Sequence, residues 1–339
     1  MFTKIFYKVL LVVVVAVAVL FLSGVLSAQG NSGNAFEHVK EVQEKHTARL
    51  MAIKGVVGTA VGFDPDDQPE VKVFVEERGD ARIPKKLEEV PVEVVVTGKI
   101  YALKPGDKPT GSRINPAARF PRPVPIGVST GHPDITAGTI SCRVKNASGV
   151  YALSNNHIYA NENLASIGDN VLQPGPYDGG KNPQDAIGTL SAFVPIMFDG
   201  TNNTVDAAIA LSSTANLGNA TPSNGYGKPK STTASAYARM QVQKYGRTTA
   251  LTQGRVYATN ATVNVQYDQG VARFVGQIII TPGNFSAGGD SGSLVVKSDR
   301  NANENNKPVG LLFAGSNTIT VANPINAVLS AFGVSVDGE

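Results

Sequence analysis

The spacing of apolar positions changes several times along the first hundred residues. Val9–Leu22 is an unbroken apolar run. Phe36, Val39, Val42, Leu50 and Ile53 then fall on one face at helical spacing among many charges, which predicts an amphipathic helix over Phe36–Ile53. Val56–Phe63 and Val71–Glu76 read as strands separated by the turn-rich Asp64–Pro69. Ile83–Leu87 is expected to form a short helix, and Val90–Thr97 a third strand in which Val92, Val94 and Val96 alternate. This α-β-β-α-β order predicts a small α/β unit over 36–103, with no catalytic constellation of its own.

The pattern then breaks. Lys104–Pro125 holds Pro105, Pro109, Pro116, Pro121, Pro123 and Pro125, and such proline density blocks helix and interior strand. Residues 104–125 are therefore expected to be a linker, with Arg113, Arg119 and Arg122 as targets for proteolysis. Beyond it the chain reads as all-β. Thr136–Lys145, Gly149–Ser154, Asp169–Gln173, Ile187–Pro195 and Val205–Ser212 are expected strands. Leu217–Ser235, rich in Gly, Pro, Ser and Thr, connects them to a second set: Val242–Tyr245, Gly254–Asn260, Thr262–Tyr267, Arg273–Thr281, Ser293–Val296, Val309–Ala314 and Thr318–Val321.

The N-terminal run changes the expected address. Lys4 and Lys8 precede it, Ser23-Gly24 breaks it, and Ser27-Ala28 offers small residues for cleavage, so 1–28 reads as an export signal. The run is shorter than the ~20 residues a membrane span needs, although a retained anchor is the alternative. Either way the remainder is expected outside the cytoplasmic membrane. A formal net charge of +3, without a dense basic patch, argues against a nucleic-acid partner. Cys142 is the only cysteine, so no intramolecular disulfide can form; a buried, unpaired thiol is expected, with an exposed thiol or an intermolecular bridge as alternatives.

The chemistry concentrates in AGGDSGS, Ala287–Ser293. Its glycines let the chain turn tightly enough for the amides of Gly289 and Ser291 to point at one spot, where an oxyanion could be held. A serine hydroxyl also needs a base. The chain has only four histidines: His38 and His46 lie in the N-terminal unit and His132 precedes a proline, which leaves His157, at the end of the strand-like ALSNNHIYA. Asp206 opens the apolar AAIAL run that would bury it, whereas Asp169 and Asp185 have no such run and are weaker candidates.

The order His157, Asp206, Ser291 resembles that of the chymotrypsin-like serine proteases. KYGRTTALTQGRV, Lys244–Val256, resembles the Gly-Arg-Thr-Thr-Gly string of the secreted bacterial branch typified by α-lytic protease, with Ala250 at the second glycine. The resemblance covers roughly Ile135–Val334. It implies a double six-stranded β-barrel, with a first barrel over 126–222 and a second over 236–335 that includes a short closing helix at Ile325–Phe332. It also implies a secreted serine endopeptidase acting on protein or peptide substrates through an acyl-enzyme, with no metal or organic cofactor. Cys142 would stand at a strand position whose usual disulfide partner is here Ile158. Phe285, with Ser286, Ala314 and Gly315, would form a specificity pocket that lacks the acid needed for Lys or Arg and prefers small or medium apolar side chains. Asp290 would pair with Lys244, or alternatively with Arg247, to shape the oxyanion hole. The unit over 36–103 would be a propeptide, intramolecular chaperone or inhibitor, or else a permanent accessory domain. Two positions depart from the pattern. Phe313 stands where relatives often have a serine near the triad aspartate, so Asp206 would either find another donor or be less solvated, and Ser293 replaces a second glycine. A catalytically silent barrel that binds peptides or proteins remains the alternative.

Overall fold

The computed structural model describes residues 34–79, 82–103 and 114–339. The expected export segment and residues 104–113 of the expected linker lie outside them. The described chain is mostly β.

A helix over 34–51 lays Val39, Val42 and Leu50 on Val61, Val71 and Val73, which belong to the antiparallel strands Val56–Phe63 and Pro69–Val75. Each such side chain contributes about 1.5–3 kcal/mol when fully buried. Val90–Val96 joins Pro69–Val75 in parallel, at the rim of the sheet. Its even-numbered valines do not form an inward face. Val94 and Val96 are exposed, while Val95 packs against a second apolar cluster. The short helix expected over Ile83–Leu87 is not formed either. Lys86–Leu87 is a strand that turns back onto Val90–Pro91 through Glu88 and Glu89, whose φ angles are 46° and 68°. Two successive left-handed residues close a two-residue hairpin, and that turn overrides the helical reading.

Residues 114–125 are bound to the body of the fold. Arg119 makes a two-pronged pair with Asp185, at 2.8 and 2.6 Å, and the Arg122 guanidinium reaches the carbonyl of Ala186. Arg119 holds the Asp185 carboxyl below the usual carboxylate range.

The region that follows forms a six-stranded sheet in the order Asn170–Leu172, Ala186–Phe193, Ala208–Ser212, Gly149–Ser154, Arg143–Asn146 and Ser335–Val336. Its core includes Val128, Ile140, Leu153, Val171, Leu190 and Ile209. The helix Ile325–Phe332 packs into this same core through Ile325, Val328 and Leu329. Thr136–Lys145 is not one continuous strand. It yields Gly138–Thr139 and then Arg143–Asn146, because at Thr139 the backbone leaves the sheet and its amide bonds to Ser291 O at 2.7 Å.

Among the described residues, the second sheet has twelve strands, eleven on its main path and Ile100–Ala102 beside it, and it includes the N-terminal ones. Its axis is Ala250–Gln266, a single strand where two, Gly254–Asn260 and Thr262–Tyr267, were expected. Asn260 has φ 53° and the register shifts there, so the residue bends the strand without ending it. One edge of this strand pairs with Val271–Thr281. The other edge is covered by three segments in succession: Gln241–Gly246, then Val56–Phe63, then Ile100–Ala102.

Candidate active site

Strand register brings His157 to Asp206. Gly149–Ser154 pairs antiparallel with Ala208–Ser212, Ser154 opposite Ala208. Continued past the sheet, that register sets the turn of helix Asn156–Tyr159 beside the residues preceding Ala208. The His157 Nδ1 lies 2.5 Å from Asp206 Oδ2, and the His157 amide donates to Oδ1 at 3.2 Å. Asp206 is fully buried. Its backbone is fixed on both sides: its amide donates to Asn323 Oδ1, and its carbonyl accepts from Asn155 Nδ2.

The donor that Phe313 cannot supply comes from Tyr267, whose hydroxyl donates to Asp206 Oδ2 at 2.8 Å. Burial, followed by the negative charges of Asp206 and Glu162, pushes the Tyr267 hydroxyl well above its usual range, so it remains a donor. The two weaker acid candidates are engaged elsewhere. Asp169 accepts from His132 at 3.1 Å, and Asp185 holds Arg119.

Ser291 sits in a loop flanked by Gly289 and Gly292, both at φ 94°, where a side chain would be strained. A Cβ at Gly292 would also come within 2.1 Å of the Thr139 carbonyl. The loop is clamped onto the first sheet region through Thr139, whose hydroxyl donates to Gly289 O and whose amide donates to Ser291 O. Ser154, three residues before His157, donates to Thr139 O at 2.8 Å. Serine and histidine loops thus meet across one short strand. The Ser291 hydroxyl donates to Phe313 O at 3.1 Å, and His157 Nε2 is buried without a hydrogen-bond partner among the described residues.

Asp290, between the two glycines, is fully buried. Its oxygens accept from the amides of Thr248, Thr249 and Ala287 and from the Thr249 hydroxyl. The Lys244 ammonium lies 3.4 Å away and is equally buried. Burial pulls that ammonium below the usual lysine range, and Asp290 opposes the pull. Arg247 is not the partner of Asp290. It grips Asp178 with two bonds of 2.9 and 2.6 Å, a buried pair that nothing in the local sequence signals.

Phe285 is buried in an apolar cluster with Val242, Ile280 and Leu312. Ser286 bonds to Thr320, and Ala314 and Gly315 end the strand Pro308–Gly315. The Gly289 amide donates to Leu103 O at 3.1 Å, and the Leu103 amide to Phe313 O at 3.4 Å. Cys142 is buried and unbonded to another cysteine, and burial pushes its thiol up to about 12.

No curated protein matches the chain. A family model described as the Nal1 C-terminal domain matches residues 180–323, a stretch that contains Asp206 and Ser291 but not His157. Among solved structures, the chain is similar to a glutamic-acid-specific serine protease described as using a histidine triad in substrate binding. The identity is 23%, the match covers 63% of this chain and 100% of that one, and the TM-score is 0.45. Thermobifida fusca Protease A matches at 19% identity over 64% of this chain and 100% of its own, with a TM-score of 0.45. An α-lytic protease homologue, N4, matches at 16% identity over 62% of this chain and 99% of its own, with a TM-score of 0.43.

Proposed function

We propose that the protein is a serine endopeptidase that acts outside the cytoplasmic membrane, with Ser291 as nucleophile, His157 as general base and Asp206 as its orienting carboxylate. One observation carries the reading. A buried imidazole is anchored through Nδ1 to a buried carboxylate while its other nitrogen has no partner among the described residues, and a serine between two left-handed glycines is tied through Thr139 to Ser154, on the strand that leads to that imidazole. A buried polar atom without a partner is costly, and a proton-transfer role accounts for its retention.

In this reading Ser291 turns from Phe313 O toward His157 Nε2, gives up its proton there and attacks a peptide carbonyl. The Gly289 and Ser291 amides hold the oxyanion; loss of one such donor costs roughly 10²–10³ in rate. His157 passes the proton to the leaving amine, and water then opens the acyl-enzyme. Asp206 and Tyr267 hold the imidazole in the tautomer that leaves Nε2 free to accept. The Lys244–Asp290 pair keeps the serine loop in shape. Residues 36–103 serve as a propeptide or built-in inhibitor, which the pairing of Val56–Phe63 with Ala250–Gln266 supports. Labelling by a fluorophosphonate probe tests the reading. Wild-type protein should be modified at Ser291 and Ser291→Ala should not, and a wild-type chain that resists the probe at all concentrations would instead be a silent binding module.

A further inference from the structure

The unpredicted neighbour of Ser291 is the chain's own segment Ile100–Leu103. It runs antiparallel to the end of Pro308–Gly315, with Ala102 opposite Ala314 and Tyr101 opposite Gly315. Its other edge pairs in parallel with Val265 and Gln266. An extended peptide is thereby added to the sheet edge that leads to the serine, a mode in which main-chain bonds give affinity and side-chain pockets give selectivity.

The end of the segment is more telling than its edge. The Leu103 amide donates to Phe313 O, the same oxygen that accepts the Ser291 hydroxyl. Two donors on one oxygen put the Leu103 backbone next to the serine. The Leu103 carbonyl accepts from the amide of Gly289, two residues before Ser291. A strand that served only to anchor the N-terminal unit would have no need to end on that amide. The Leu103 side chain packs against the apolar cluster that holds Phe285, Val242 and Leu312, and a Cβ at Gly315 would lie 3.5 Å from its Cδ1.

We infer that Ile100–Leu103 is the protein's first substrate: the segment fills the acceptor groove, Leu103 fills the specificity pocket, and the enzyme cuts its own chain after Leu103. The inference rests on the serine-endopeptidase reading and adds to it the bond and the side-chain class. In the step, Ser291 Oγ bonds to the Leu103 carbonyl carbon and the bond from that carbon to the Lys104 nitrogen breaks. The serine proton travels through His157 to the leaving amine, and water then releases Leu103 as a carboxylate. A pocket that receives leucine on an apolar wall accepts medium apolar side chains from other substrates. It rejects carboxylates and ammonium groups, which would be desolvated without a partner. Until the cut is made, the segment keeps other peptides out, so the first cleavage is intramolecular.

The test uses the full-length chain. Wild type should yield a product that begins at Lys104, by intact mass and N-terminal sequencing, at a rate independent of protein concentration. Ser291→Ala should remain whole. Leu103→Asp should slow the cut by about a hundredfold or more, because a pocket discriminates strongly against a buried unpaired charge. The same variant should be modified by the fluorophosphonate probe faster than uncut wild type, since the groove is no longer filled. Leu103→Met, close in volume, should cut at nearly the wild-type rate and so separates selectivity from misfolding. Probe modification of Ser291 with no cut after Leu103, or equal rates for Leu103→Asp and wild type, would overturn this inference alone. Absence of probe modification in both wild type and Leu103→Asp would overturn it together with the endopeptidase reading.

Discussion

Asp206 and Asp290 are both fully buried carboxylates next to the same serine loop, yet they are satisfied in opposite ways. Asp290 has a fixed cation, Lys244, and four further donors from Thr248, Thr249 and Ala287. Its charge is balanced at rest, and nothing in its surroundings changes during a reaction. Among the described residues, the Asp206 carboxylate has the His157 amide, the His157 ring and the Tyr267 hydroxyl, with no permanent cation bonded to it. Its negative charge is balanced in full only when the imidazole gains a proton. Interactions that are stronger in the transition state than in the ground state accelerate a reaction, and the second arrangement has that property. On the proposed mechanism, one carboxylate holds a shape and the other receives a charge.

Asp206→Asn is the sharpest way to break this contrast. It should lower kcat on a peptide substrate by roughly 10⁴-fold, the scale seen when a triad aspartate loses its charge. A loss below tenfold would class Asp206 with Asp290. For Asp290→Asn the main effect should be on stability, by about 3–5 kcal/mol, because Lys244 is left buried and uncompensated. Urea unfolding measures this. The double variant Asp290→Asn with Lys244→Met should recover part of the loss, and an unchanged midpoint for the single variant would mean that the neutral donors suffice.

Tyr267→Phe should cost about 1.5–3 kcal/mol of the charge-assisted bond, read as a fall in kcat of about tenfold or more with little change in KM. A drop in thermal midpoint without a drop in kcat would leave Tyr267 a packing residue. The smallest effect concerns pH. The folded-state value of Lys244 lies below its ordinary 10.5, because burial disfavours the charge. Its contribution to stability is therefore fully present above that ordinary value and is lost as pH falls through the lower folded value. The difference in unfolding free energy between wild type and Lys244→Met should rise with pH on the alkaline side, and a flat difference would show that the pair titrates as it does in the unfolded chain.

The sequence was informative wherever a short-range signal decided the outcome. The strand leading to His157 ends where the apolar run ends. His157 and Asp206 could be matched in advance because the first ends, and the second opens, a run that reads as a strand. Tyr267 could not, since its approach to Asp206 depends on where a seventeen-residue strand finishes. The extent of that strand was hidden by Asn260, a common turn residue that here only bends the chain. Asp178 and Leu103 were invisible for the same reason: each meets its partner across more than sixty residues, through pairings that no local pattern encodes. Glu88 and Glu89 show the converse failure, where two left-handed residues undo a plausible helix.

The three segments that cover the outer edge of Ala250–Gln266 have a consequence for the life of the protein in solution. Only the first of them, Gln241–Gly246, belongs to the part that would remain after a cut at Leu103. Residues Ala258–Gln266 contain no proline and no charge, the usual guards of a free strand edge. Loss of the N-terminal unit would uncover a row of unpaired amides and carbonyls open to any extended chain, including a second copy of the enzyme. The bend at Asn260 is the one guard left in place. On that reading the N-terminal strands would also shield the molecule against self-association, and maturation would exchange a shielded, closed molecule for a working one with an adhesive seam.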